Sequence, residues 1–205
     1  MSLFKSIGTL TLGNVASQGI MFLGVIFLSR IYSPEEFGAY AVVFGAVTIM
    51  SAVSSFRYEM TILLPKQKKA SQLALQLAFL TTCTINLAGL LFTSALIIYG
   101  LISLYWLLVP ISALFASIIN IGSFLQNRNQ DYNRIIGVQI ARALLFVFTA
   151  LLFSWVNVVD NGLVGAMSVS FFLPALFLLA MDFRRGNVFK GLFSKRQLIV
   201  WAKRN

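Results

Sequence analysis

Six long, mostly apolar stretches divide this chain, at roughly 7–30, 37–62, 71–99, 102–124, 135–156 and 162–181. A hydrocarbon core ~30 Å thick is crossed by ~20 residues at 1.5 Å rise. Within it every backbone N–H and C=O must find a partner in its own segment, so such stretches fold as helices. The expectation is an all-α, polytopic integral membrane bundle of six transmembrane helices. Only 11% of the 205 residues are charged, whereas a soluble domain carries about a quarter. The run from Leu10 to Arg30 is too long for the apolar core of a signal peptide. No small-x-small cleavage site precedes the next stretch, so this first run is read as a retained helix.

Charge gives the bundle a direction. The connections at 31–37, 100–103 and 155–162 hold no Lys or Arg, and the first and third hold Glu35, Glu36 and Asp160. The alternate connections hold Arg57, Lys66, Lys68 and Lys69, then Arg128 and Arg134. Lys5 precedes the first span, and Arg184, Arg185, Lys190, Lys195, Arg196, Lys203 and Arg204 follow the last. All sixteen basic residues except Arg30 and Arg142 therefore fall on one side. By the positive-inside rule both termini are expected in the cytoplasm. The net charge of +10 then faces cytoplasm and anionic membrane lipids, not nucleic acid.

From Gly186 the pattern changes. Val188, Phe189, Leu192, Phe193, Leu198, Ile199 and Trp201 alternate with Lys190, Lys195, Arg196, Lys203 and Arg204. This reads as a basic amphipathic C-terminal helix on the inner leaflet, or as a charged tail without structure. The organisation expected is a six-helix transmembrane lobe over 1–182 and a basic amphipathic linker over 183–205.

Several chemistries are excluded. Cys83 is the sole cysteine, so no intrachain disulfide forms. Histidine is absent, which removes an imidazole base and the H-E-x-x-H zinc site; no phosphate-binding G-x-x-x-x-G-K-[ST] loop occurs. No catalytic residue, cofactor or metal is expected, and the chain reads as a non-enzyme.

The first outer connection has the chemistry of a helix start. Ser33 can cap the second span, Pro34 suits its first position, and Glu35 and Glu36 complement its dipole. Ser33 and Glu36 also have capping-box spacing. Arg30 is expected to pair with Glu35, Glu36 or lipid headgroups.

Polar groups at membrane depth carry the functional signal. Arg142 lies seven residues past Ile135, about 10 Å into the fifth span, with Gln139 on its face and Leu144 to Val147 beyond. It must snorkel, pair with a carboxylate, or face a hydrated cavity. Thr11, Asn14 and Gln18 form one stripe of the first span, flanked by Ser17. Such a stripe binds a neighbouring helix or lines a polar lumen. Asn120, Ser123, Gln126 and Asn127 form another at the end of the fourth span. Arg57 and Glu59 sit near the inner end of the second span. They point to different sides, so each is expected to pair with its neighbours or with Arg142 across the bundle.

Three runs resemble a known family. Leu28-Ser-Arg-Ile-Tyr-Ser-Pro-Glu-Glu-Phe-Gly-Ala-Tyr40 resembles the first-helix exit of the polysaccharide flippases, polysaccharide biosynthesis proteins related to the multidrug and toxin extruders. Phe56-Arg-Tyr-Glu-Met-Thr-Ile-Leu-Leu-Pro65 resembles that family's second-helix ending. Leu125-Gln-Asn-Arg-Asn-Gln-Asp-Tyr-Asn-Arg134, continuing to Ile140-Ala-Arg142, resembles its fourth-to-fifth-helix loop. The resemblance covers nearly the whole chain and corresponds to the first of two six-helix lobes, truncated before the second. It implies transport of polyprenyl-pyrophosphate-linked oligosaccharide units across the bacterial inner membrane. It also implies a second lobe or other polysaccharide-assembly proteins as partners. Candidate substrate-binding residues are Arg142, Gln139, Asn14, Gln18 and Arg57. Related extruders bind a coupling cation at an acidic residue of the first helix, which this chain lacks. Glu59 is the remaining candidate for ion coupling.

Three other readings compete. A cation-coupled drug or toxin extruder half would favour an acidic residue in the first span. A membrane interaction module would need no transport site. A glycan polymerase or ligase would need a carboxylate or histidine base near its acceptor, and the outer loops offer only Glu35, Glu36 and Asp160.

Overall fold

The computed structural model describes residues 3–64, 68–156 and 161–184. They form seven α-helices and a 3-10 turn, with no strand among the described residues: α1 (Leu3–Leu28), α2 (Pro34–Ser54), the short α3 (Tyr58–Thr61), α4 (Lys68–Ile98), the 3-10 turn Leu104–Leu107, α5 (Leu108–Arg128), α6 (Tyr132–Val156) and α7 (Gly162–Arg184). Six of the helices are long and apolar enough to cross a membrane, so the chain is a polytopic helical membrane protein. The basic amphipathic helix expected from Gly186 lies outside the described residues.

The ends of these helices follow local chemistry. Ser33 Oγ accepts from the Glu36 N–H at 3.3 Å while Glu36 Oε2 accepts from the Ser33 N–H at 2.8 Å, with Pro34 at the first position of α2. This occupies the Glu36 carboxylate, and among the described residues Arg30 makes no ion pair. Gly100, at φ 70°, closes α4. The Leu101 N–H reaches the Leu96 carbonyl and the Gly100 N–H reaches that of Ile97, the paired bonds of a Schellman end. Gln130 repeats the device after α5 at φ 58°, although it carries a side chain.

The second span is shorter than expected. It ends at Ser54 rather than near 62, because Phe56 and Arg57 both adopt positive φ, 46° and 60°. The segment that follows is fastened from afar. The Ile62 carbonyl accepts from Arg128 Nη1 at 2.6 Å and from Ser71 Oγ at 3.1 Å. Its side chain is buried with Ala74, Leu75, Ala78 and Ile121. The fourth span likewise differs: the α-helix proper begins at Leu108 after the 3-10 turn and continues to Arg128.

Chain order does not set the packing. α1 lies chiefly along α6, α6 continues onto α7, and α5 sits centrally against α7, α2 and α4. A Cβ on Gly13 would collide with the Ile136 side chain, and one on Gly24 with that of Val147. Both pairs advance eleven residues in the same direction, so α1 and α6 run parallel, as the first and fifth crossings of an alternating bundle must. Glycine lets the two backbones approach, which supplies close packing where lipid offers no hydrophobic drive. Hydroxyls join the other contacts: Ser54 Oγ lies 2.7 Å from Ser117 Oγ, and Ser112 Oγ 2.9 Å from Ser168 Oγ. Tyr32 donates its hydroxyl to the Ala150 carbonyl at 2.6 Å, tying the α1–α2 connection to the end of α6. Tyr99, Tyr105, Trp106 and Trp155 lie at helix ends on the side opposite the basic connections. These amphipathic rings suit a bilayer–water interface.

Candidate functional site

A cavity of about 430 Å³ opens between α1, α2, α6 and α7. α1 contributes Asn14, Ser17, Gln18 and Met21, and α6 contributes Gln139, Arg142, Ala143 and Phe146. Both sets have the spacing i, i+3, i+4, i+7 of a single helix face. Phe44 of α2 and Ser170 of α7 complete the lining. Each of these residues lies near the middle of its helix, which places the cavity near the bilayer midplane. The glycine contacts of α1 with α6 set the rotation that brings Asn14 and Gln18 to this opening.

Arg142 is the centre of the site. It lies ten residues into α6, about 15 Å along the helix axis. Its Cζ stands 4.4 Å from the centroid of the buried Phe171 ring. Among the described residues its Nε is buried without a hydrogen-bond partner, as is Gln139 Oε1. A donor and an acceptor on adjacent turns are therefore unmet by protein. Among the described residues no carboxylate lines the cavity and Arg142 forms no ion pair.

Magnitudes decide what that means. An arginine at the centre of a membrane helix costs ~2.5–3.5 kcal/mol on insertion scales. A cation–π contact returns about 2 kcal/mol when desolvated. Phe171 thus offsets part of that cost, and a hydrated or polar content of the cavity would offset more. Phe44 of α2 and Phe146 of α6, with Tyr40 at 5.8 Å and 5.4 Å from their rings, give the cavity an aromatic flank. Pro174 has no N–H, so the Ser170 carbonyl loses its usual helical partner beside the cavity.

The structure brings Arg142, Gln139, Asn14 and Gln18 to one cavity and leaves Arg57 and Glu59 out of it. Arg57 is exposed in the left-handed turn after α2. Its place in the lumen is corrected accordingly, because the break at Phe56 carries it off the helix. Glu59 is 5% exposed, with Oε2 lacking a hydrogen-bond partner among the described residues. The expected pairing of either with Arg142 is not formed; Arg134 and Asp131 do pair, at 2.8 Å. Of the stripe at the end of α5, Gln126 is buried while Asn120 and Asn127 are exposed, and none lines the cavity. Phe171 and Ser170 were not among the expected site residues. Phe171 opens an apolar run that reaches Met181 and is one of many such phenylalanines, so it gave no signal. Among the described residues no group of three or more His, Cys, Asp or Glu side chains is placed to hold a metal.

No protein-family model, curated protein or solved structure matches this chain. Its function is therefore read from the cavity itself.

Proposed function

We propose that the chain forms one lobe of a membrane transporter that passes the pyrophosphate–sugar head of a polyprenyl-linked oligosaccharide across the bacterial inner membrane, with both termini in the cytoplasm. The observation that carries this reading is Arg142, a cation at mid-helix in a polar cavity with no carboxylate among its described lining residues. An anionic head crossing lipid needs a cationic partner in a hydrated space. Arginine offers a planar, permanently charged fork for phosphate oxygens. Gln139, Asn14 and Gln18 carry amides that can donate to and accept from sugar hydroxyls. The prenyl chain stays in lipid while the head passes, so no covalent step is required. The three runs that resemble polysaccharide flippases support the same reading. A transporter of this kind works by rocking two repeats about a midplane site, so a second lobe is part of the proposal.

The test uses a strain whose surface polysaccharide depends on the protein in its full-length context. Arg142→Ala removes both charge and fork, and Arg142→Lys keeps the charge alone. At matched membrane levels, surface polysaccharide should fall steeply for the first and partially for the second. Export by Arg142→Ala equal to the parent's rejects the role of Arg142. A deletion that leaves surface polysaccharide intact rejects the substrate class.

A further inference from the structure

A second recess lies on another face of α6, between it and α7. Its volume is about 460 Å³, and Arg134, Gly137, Ala141 and Leu145 of α6 face Pro174 and Phe177 of α7 across it. Apart from Arg134 the described residues that line it are apolar. The α6 residues run over eleven positions, ~16 Å at 1.5 Å per residue. That is about half of a ~30 Å hydrocarbon core, the depth of one leaflet.

The groove is polar at one end only. Arg134 Nε is held by Asp131 Oδ2 at 2.8 Å, which fixes the guanidinium. Its Nη1 remains buried without a hydrogen-bond partner among the described residues. Arg134 stands at the start of α6, on the side where the chain's basic connections gather. Gly137 makes part of the groove's depth by having no side chain. A Cβ built there meets nothing within 4 Å, so no contact inside the chain requires glycine. Glycine in a helix interior is otherwise disfavoured relative to alanine.

We infer that this groove holds one acyl chain of an anionic phospholipid from the leaflet on the Arg134 side, with the lipid phosphate on the Arg134 guanidinium. A lipid presents an apolar chain at hydrocarbon depth and an anionic oxygen at the interface, in the order the groove requires. A transmembrane helix laid in the same place fills the apolar part and leaves Nη1 unmet. The connection carries Arg128, Asp131 and Arg134, a net positive charge, which favours an anionic headgroup over a zwitterionic one. This site is independent of whatever passes through the Arg142 cavity.

The test is native mass spectrometry of the full chain, released from mild detergent with phosphatidylglycerol and phosphatidylethanolamine in equal amounts. The parent should retain one phosphatidylglycerol, preferred about tenfold, the scale of a charge-assisted hydrogen bond to phosphate. Gly137→Leu fills the groove and should lose that lipid. Arg134→Gln should keep a bound lipid and lose the preference. Undiminished phosphatidylglycerol on Gly137→Leu, or an unchanged preference in Arg134→Gln, overturns the inference. If Gly137→Leu fails to insert, the unsubstituted protein decides. Chain-labelled photoreactive phosphatidylglycerol should crosslink within 134–145 and 173–181, and crosslinks confined elsewhere, or a second copy of the chain crosslinked there instead, overturn it.

Discussion

Replacing Arg142 by methionine should make the protein more stable while removing its proposed activity. Methionine keeps an unbranched side chain of similar reach and adapts to irregular space. The insertion penalty for a central arginine is ~2.5–3.5 kcal/mol, and the contact at 4.4 Å with Phe171 returns about 2 kcal/mol. The difference, about 1 kcal/mol, is what Arg142→Met should gain; water in the cavity makes this an upper figure. Reversible unfolding by SDS in mixed micelles measures it. Phe171→Leu should lose stability in the parent, since it removes both the ring beneath the cation and part of a buried core residue. In the Arg142→Met background it should lose less, and the double-mutant cycle should give a coupling of about 1–2 kcal/mol. Higher stability with loss of function marks a residue kept for a ligand rather than for the fold. If Arg142→Met instead loses more than about 1 kcal/mol, the guanidinium holds the bundle together. The assignment of Arg142 to a ligand then fails.

Three further outcomes follow from the packing. Gly24→Leu should destabilise the bundle by about 1–3 kcal/mol through collision with Val147, whereas Gly19→Leu, where a Cβ meets nothing within 4 Å, should leave the unfolding midpoint unchanged. Burial, with a smaller contribution from Glu36, pushes the Tyr32 phenol above its usual value of 10.0. The protonated form is thus favoured on folding, and its contribution is present below about pH 10 and lost as pH rises through the raised value. Melting curves of the parent should therefore fall more steeply between about pH 9 and 11 than those of Tyr32→Phe; parallel curves would show that burial does not raise the Tyr32 phenol. On a Cys83→Ser background, Lys68→Cys should react with an impermeant maleimide only after intact cells are permeabilised. Labelling from outside would invert the proposed orientation.

The six spans were legible because a run of about twenty apolar residues has few other fates. The end of α2 was not. Met60 to Leu64 continue the apolar pattern, and neither Phe56 nor Arg57 is a residue type that announces positive φ. What fixes that break is Arg128 reaching the Ile62 carbonyl, a partner 66 residues away. The cavity was half legible. Asn14, Gln18, Gln139 and Arg142 each stood out as polar groups at hydrocarbon depth. That they share one space depends on α1 choosing α6 over its neighbour in sequence, a preference written in Gly13 and Gly24 and visible only once Ile136 and Val147 lie against them. The lipid groove left almost no trace, since it is defined by where side chains are missing.

The pairing of α1 with α6 also fixes an order of events during synthesis. Gly13 leaves the ribosome 123 residues before Ile136, an interval of roughly 6–25 s at ~5–20 residues per second. For that time the first helix waits with its Gly13 and Gly24 face uncovered. The helix that follows it offers no substitute, because α2 goes to α5, α7 and α4. Tyr32 waits as well, since its acceptor at Ala150 is made later still. The nascent amino-terminal helix is therefore a natural client for whatever membrane-embedded machinery shelters polar helices until their partners arrive.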